Sequence, residues 1–393
     1  MTTSGDRQDA SALDTFDALP LDVRHCEPTA LFDASTNTPP PDGLYVVDLS
    51  VEIMSQCARM SDGTLHCRGM NNRGQLGNGT TIHSFEHTTR VVGIDNAEQV
   101  VVGLESACAR LRDGTVRCWG SNRDHALGTG HADDENCGSH EVPDPCRLRP
   151  AEVPGLTDVV HLTASMFTYC AVRRDGSVWC WGGRGFPANI EASNAPTPVR
   201  MPGLDDIAWL RPLGLAWLAR HEDGRYEALV WGAGPPRVPR DASVPDGIRT
   251  DHLCYVLPDT SMRCQGANHS GQVGNGTSSF PEGVTEPWDP GLCGVRSIVT
   301  GGRHTCALLV DRRVWCWGDT VNDDNGDLAT ERCVGVNAVI RCVTHPTLVE
   351  GLDDVVEIFA GTWSTCAIRM DHTVWCWGSV APERSTRPAR TEW

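Results

Sequence analysis

The sequence predicts an all-β fold, a seven-bladed β-propeller with intra-blade disulfides, and three observations lead there. One hairpin pattern recurs seven times. The copies stand 36 to 62 residues apart, the period of propeller blades. The 393 residues include 40 glycines and 25 prolines and no long stretch of helical periodicity, which suits β structure rich in turns.

The hairpin is clearest in CAVRRDGSVWCWGG, residues 170 to 183. Apolar residues alternate on both sides of Asp175-Gly176, and a three-residue loop ending in a glycine at positive φ is a favoured hairpin connection. Centring the loop on Asp175 pairs Val172 with Val178, Ala171 with Trp179 and Cys170 with Cys180. Directly opposed residues have Cα atoms roughly 4.5 to 5.5 Å apart, within reach of a disulfide. Alternation then places Cys170, Val172, Val178 and Cys180 on one face and Ala171, Trp179 and Trp181 on the other.

The ten-residue cysteine spacing around an aspartate returns at Cys57, Cys108, Cys254, Cys306 and Cys366. A further copy, LARHEDGRYEALVWG from Leu218 to Gly232, keeps Asp223-Gly224 and Trp231-Gly232 but lacks both cysteines and carries two extra residues. It reads as a blade without its staple. An apolar strand precedes most copies, as in TDVVHLTA (157–164) and GLDDVVEIFAG (351–361). A glycine-rich turn follows three of them: GQLGNGT at 74–80, ALGTG at 126–130 and GQVGNGT at 271–277.

This order, CA…DG.V.CWG…GQLG.G…P..V.GL..VV, resembles the repeat of the regulator of chromosome condensation family, which includes alpha-tubulin suppressor-like proteins of bacteria. The resemblance covers roughly residues 43 to 393 and implies four-stranded blades in a ring whose ends meet. Copies three, four, six and seven depart from the glycine-rich turn. Residues 1–42 read as a disordered polar tail, which leaves 43–393 for the propeller.

The 18 cysteines follow the repeat. Six hairpin pairs are expected: Cys57–Cys67, Cys108–Cys118, Cys170–Cys180, Cys254–Cys264, Cys306–Cys316 and Cys366–Cys376. Cys137 with Cys146 and Cys333 with Cys342 are each nine apart in a long loop after a blade hairpin, and Cys26 and Cys293 pair by exclusion. Buried free cysteine also packs as a small hydrophobe, and structural zinc wants closer spacing; repetition at opposed positions favours disulfides over both. Disulfides belong to oxidising compartments, so an extracytoplasmic site is expected: periplasm, cell surface or medium. The N-terminus lacks the charged start, apolar run and cleavage site of a signal peptide, so the chain reads as a mature form. No run of 18 apolar residues offers a membrane span.

Charge and motifs narrow the function. Arginine supplies all 33 basic residues against 51 carboxylates, a net charge of −18, whereas nucleic-acid affinity rests largely on neutralising phosphates. Guanine-nucleotide exchange, which one branch of the resembling family performs, depends on partner-specific loops not recognisable here. There is no HExxH and no G-x-S-x-G, and a phosphate-cradling GxxxxGK[ST] is impossible without lysine. No catalytic residue, cofactor or metal is expected. His83 and His87 follow a glycine-rich turn and read as loop residues, and the acidic NDDNGDLATE (322–331) has its glycine at the wrong offset for an EF-hand. Eight tryptophans at the repeated Trp-Gly strand (119, 179, 181, 231, 315, 317, 375 and 377) read as packing between blades.

What is particular to this chain must lie where the repeats disagree. The largest disagreements are three loops, 131–146, 278–293 and 322–342, each following the third strand of its repeat and so expected on one side of the ring. The reading is an exported interaction module, a monomer, whose rim contacts a protein partner with a basic patch through Asp133, Asp134, Glu135, Asp323, Asp324 and Asp327, with Trp288 as apolar anchor. Phe85 and Phe186 are further exposed anchors, aromatic residues being enriched at interface hot spots. The resembling family includes a secreted inhibitor of β-lactamase that binds with one propeller face. The alternative is a propeller enzyme, a hydrolase or lyase, with a polar site at the central opening.

Overall fold

The computed structural model describes residues 43–53, 55–130, 135–138, 143–183, 195–213, 216–229, 252–319, 331–334, 339–378 and 388–393. They form seven antiparallel sheets, one per hairpin copy. Blade one runs β1 (Val46–Val51), β2 (Ser55–Met60), β3 (Leu65–Gly69) and β4 (Ser84–Arg90). Blade two has β5 (Ala97–Val102), β6 (Ser106–Leu111), β7 (Val116–Ser121), β8 (Glu135–Asn136) and β9 (Pro145–Glu152), in the spatial order β5-β6-β7-β9-β8. Blade three has β10 (Val159–Ser165), β11 (Thr168–Arg173), β12 (Val178–Gly182) and β13 (Ala195–Arg200). Blades four and five each show three described strands: β14 (Ile207–Leu213), β15 (Ala216–His221) and β16 (Tyr226–Leu229), then β17 (His252–Val256), β18 (Met262–Asn268) and β19 (Ser279–Trp288). Blade six has β20 (Val295–Thr300), β21 (His304–Leu309), β22 (Val314–Asp319), β23 (Glu331–Val334) and β24 (Val339–Leu348), ordered β20-β21-β22-β24-β23. Blade seven has β25 (Val355–Ala360), β26 (Ser364–Arg369), β27 (Val374–Gly378) and β28 (Ala389–Thr391).

The hairpin register is the one the turn imposes. Cys170 faces Cys180, Ala171 faces Trp179 and Val172 faces Val178. Asp175 makes this turn by accepting hydrogen bonds at Oδ1 from the Ser177 hydroxyl (2.6 Å) and the Ser177 N–H (3.0 Å). Gly176 follows at φ 75°, and a Cβ there would stand 2.7 Å from the Asp206 Cα in the next blade. Gly176→Ala therefore combines a left-handed backbone with a clash, and a loss of about 2–3 kcal/mol in urea unfolding is expected. In blade four Leu218 faces Ala228, ten residues on, so the two extra residues of that copy fall after Ala228.

There is no single core. Seven clusters of buried side chains occupy the seven joints between neighbouring blades. The cysteine face of blade three packs on Met201, Leu204 and Ile207, and its alanine-tryptophan face packs on Cys108, Val116 and Leu127. Each of the six hairpin disulfides thus lies inside a joint. The ring closes in the same way, with Val46, Leu49 and Val51 of blade one against Ile368 and Val374 of blade seven. The Thr362 hydroxyl donates to Glu52 across that joint at 2.9 Å.

Not all repeated tryptophans share one role. Trp119, Trp181, Trp317 and Trp377 are fully buried, and the first three donate their indole N–H to the preceding blade's glycine-rich turn, at Gln75, Ala126 and Gln272 carbonyls. Trp179, Trp315 and Trp375 are only half-buried, and Arg173 and Arg369 lie over the rings of Trp179 and Trp375. Trp231 lies outside the described residues, as do residues 1–42, Phe186 and the 320–330 segment.

Candidate interaction face and central channel

Each blade is a meander with its first strand innermost, so its connections alternate between two faces. First-to-second-strand turns and third-to-fourth-strand connections lie on one, the glycine-turn face. Asp-Gly turns and links to the next blade lie on the other.

Two of the divergent segments build the same device on the glycine-turn face. In blade two, β9 pairs with both β7 and β8: Ser121 and Glu135 both stand opposite Cys146. In blade six, Asp319 and Glu331 both stand opposite Cys342. Each fifth-strand hairpin is closed by a disulfide with Cα atoms 5.9 Å apart, Cys137–Cys146 and Cys333–Cys342. The six hairpin disulfides are closer, at 4.1 Å. Cys293 is also disulfide-bonded, and its expected partner Cys26 lies outside the described residues.

Asp144 fixes the blade-two hairpin to the ring. Its carboxylate, 4% exposed, is paired with Arg73 of blade one and with Arg123 at 3.2 Å. Asn136 Oδ1 accepts from the N–H groups of Gly138 and Asp144, each at 2.9 Å, and so ties the two limbs together. Neither anchor is apparent from residue type, since Asp144 looks like one more acid of an acidic loop.

Of the expected rim residues, Glu135 is exposed on this hairpin and accepts the Leu148 N–H at 2.7 Å. Asp133, Asp134, Asp323, Asp324 and Asp327 lie outside the described residues. Trp288 does not join Glu135. Segment 278–293 is largely β19, the outer strand of blade five, and Trp288 stands opposite Cys264 near the Asp259 turn, whereas Ser279 stands opposite Asn268 at the glycine-turn end. Trp288 is 37% exposed at that outer edge. Phe85 is 61% exposed on the glycine-turn face beside Ile82. Met166 and Trp363, at first-to-second-strand turns, add exposed apolar surface to the same face. Their signal in the sequence is position, three or four residues ahead of a blade's first cysteine. His83 accepts the Asn71 N–H at 2.8 Å, and no metal-binding cluster occurs among the described residues.

The first strands of blades one, two, three, four, six and seven line a central channel of about 470 Å³. Leu49, Val100, Leu162, Leu210, Ile298 and Ile358 turn into the joints, and Asp48, Gln99, His161, Trp209, Ser297 and Glu357 stand beside them in the channel lining. Arg211 follows two residues after Trp209 on the same side, its guanidinium 4.3 Å from that ring's centroid. His161 Nε2 lies 2.9 Å from the Leu210 carbonyl oxygen, and Gln99 bonds both the N–H and the carbonyl of Leu162, each at 2.9 Å. Three carboxylates at the blade turns are perturbed. Bonds from the hydroxyl and then the N–H two residues on hold Asp113, Asp175 and Asp259 below the usual carboxylate range. These are turn-forming aspartates.

Residues 97–126 and 295–326 match the family model described as Regulator of chromosome condensation (RCC1) repeat. Protein pim1 of Schizosaccharomyces pombe is 27% identical over 331 residues, covering 75% of this chain and 60% of its own length. RCC1 domain-containing protein RUG3, mitochondrial, of Arabidopsis thaliana is 27% identical over 249 residues, covering 53% and 51%. The chain thus spans 51–60% of the length of these curated relatives. The crystal structure of Prp20p from Saccharomyces cerevisiae, described with its binding to Gsp1p and histones, aligns at a TM-score of 0.50 and 18% identity over 88% of this chain and 77% of that one. That likeness shows the fold.

Proposed function

The chain belongs to the regulator of chromosome condensation repeat family of β-propellers, and from that premise we propose that it is an exported protein-interaction module working through its glycine-turn face. The observation that carries this reading is the pair of disulfide-closed hairpins raised on blades two and six. A loop closed by a bridge loses less entropy on binding, and exposed Phe85, Ile82, Met166 and Trp363 supply apolar contact on the same face. Glu135 on this face, with Asp133, Asp134, Asp323, Asp324 and Asp327 close in sequence to the two hairpins, suits a partner with a basic patch. Trp288, on the outer edge of blade five, would serve only a partner that wraps around the rim. Export rests on the cysteines, none of them free among the described residues, rather than on the family, which has a relative named as mitochondrial.

The test shortens residues 131–146 and 322–342 separately, keeping the blade hairpins. Each variant is assayed for folding by circular dichroism and for recovery of the protein that the intact chain captures from the producing cell's envelope or medium. Native protein should yield no alkylatable thiol, and capture should fall at least about tenfold in one or both folded variants. Undiminished capture by both removes the hairpins from the function, and mostly free thiols remove the export reading.

A further inference from the structure

The two fifth-strand hairpins repeat one device but do not protect it equally. Of the sixteen cysteines in the eight bridges whose sulfurs both lie in described residues, fifteen are buried, and Cys137 is the exception. It is partly exposed, between exposed Asn136 and Gly138, whereas Cys333 and Cys342 of the blade-six bridge are both sealed. Cys293 is exposed too, but its partner lies outside the described residues. The pairing differs in the same sense: in blade six β23 meets β24 at four positions, in blade two β8 meets β9 at two. A ladder that short is marginal without its bridge. Further ties of the β8 limb are hydrogen bonds, from the Cys137 N–H to the Asp144 carbonyl at 2.9 Å, from the Gly138 and Asp144 N–H groups to Asn136 Oδ1, and from the Leu148 N–H to the Glu135 carboxylate. Because Glu135, Asn136 and Gly138 are exposed, water can replace these bonds. The β9 limb is held independently, by its ladder with β7 and by Asp144 between Arg73 and Arg123.

We propose that Cys137–Cys146 is a redox switch, through which a dithiol opens the blade-two hairpin while the six blade hairpins stay stapled. A thiolate of the dithiol attacks the Cys137 sulfur, the disulfide bond breaks, and Cys146 leaves as a thiolate that takes up a proton. The second thiol of the reagent then loses its proton and displaces Cys137, which is released and protonated, and the reagent departs as a cyclic disulfide. The bridge gains two electrons and two protons, and the dithiol supplies both. Exchange depends on access to the attacked sulfur, so bridges with both cysteines buried react only when a blade opens. With the bridge gone the β8 limb lifts from β9, and Glu135 loses its fixed place on the glycine-turn face. Blade six keeps its hairpin. Selective reduction is read with no partner present, so it holds or fails independently of the interaction reading.

The full chain in native buffer is treated with limiting dithiothreitol, samples are quenched with an alkylating reagent, and peptide mapping follows each bridge. Cys137 and Cys146 should be alkylated at least about tenfold faster than Cys333, Cys342 and the cysteines of the six blade hairpins. At that stage circular dichroism should be unchanged, and hydrogen exchange at the amides of residues 137, 138 and 144 should quicken about tenfold or more. Removing the dithiothreitol and adding glutathione disulfide should restore slow exchange. Cys137→Ser combined with Cys146→Ser removes the bridge without any reductant and should show the same fast exchange at those positions. The proposal is overturned if Cys333–Cys342 or a blade-hairpin bridge is reduced as fast, if reduction leaves the three amides as protected as before, or if the first reduction unfolds the propeller.

Discussion

Replacing Trp181 with alanine is expected to destabilise the propeller by about 3–5 kcal/mol, while Trp179→Ala, two residues away on the same strand face, costs about 1 kcal/mol. Trp181 is wholly buried between blades two and three, stacks near Tyr169 at 5.9 Å between centroids and donates to the Ala126 carbonyl at 3.1 Å. A Cβ on Gly128 would lie 2.4 Å from its ring, so the glycine-rich turn of blade two is shaped to receive this indole. Removing it empties a site in a joint that cannot collapse without moving a blade. Trp179 is half-buried, with Arg173 lying 5.1 Å over its ring and the Ser177 hydroxyl 3.1 Å from its Nε1, so its loss exposes little. Urea-unfolding midpoints under non-reducing conditions check the contrast. Equal losses would mean that insertion into the joint is not what separates the two.

This difference marks the limit of what the sequence shows. A hairpin is local: the turn at its aspartate sets the register, the register sets which cysteines oppose, and all six hairpin pairs follow from spacing alone. Burial of Trp181 rather than Trp179 depends on the neighbouring blade, about which strand alternation says nothing. The outer strands are obscure for another reason. Edge strands tolerate proline because one side of the backbone makes no ladder bonds, and β19 carries Pro281, Gly283 and Pro287 together with two register shifts. A segment so broken reads as an insertion, so from sequence Trp288 reads as a rim-loop anchor rather than a residue of the outer strand. The fifth-strand hairpins did leave a trace, since residues 135–150 and 331–346 share the pattern E-x-C-x₈-C-x₃-P. The acidic residues around them draw attention to charge instead.

Acidification between pH 6.5 and pH 4.5 is expected to remove roughly 4 kcal/mol of stability, through two buried histidines. His252 and His304 occupy equivalent positions two residues ahead of the first cysteine in blades five and six. Each reaches across a joint, His252 to the Thr305 hydroxyl at 2.8 Å and His304 to the Thr365 hydroxyl at 2.9 Å. Thr305 donates its own proton to the Gln272 carbonyl at 2.8 Å, so it accepts from the His252 N–H. Burial, with smaller contributions from His304 and His269, holds His252 down to about 3, and burial holds His304 down to about 4. In the unfolded chain both titrate near 6.5. Below that pH the unfolded state binds protons that the native state refuses, so stability, full above 6.5, falls as the pH falls. The turn-forming aspartates lose their contribution only as the pH falls below their unfolded value of about 3.9, which leaves the upper window to the histidines. His252→Gln combined with His304→Gln keeps a donor for each threonine without the ionisation. The double variant should be less stable at neutral pH yet show a much flatter unfolding midpoint from pH 6.5 to 4.5. Parallel decline of the two proteins across that window would show that the acid sensitivity arises elsewhere.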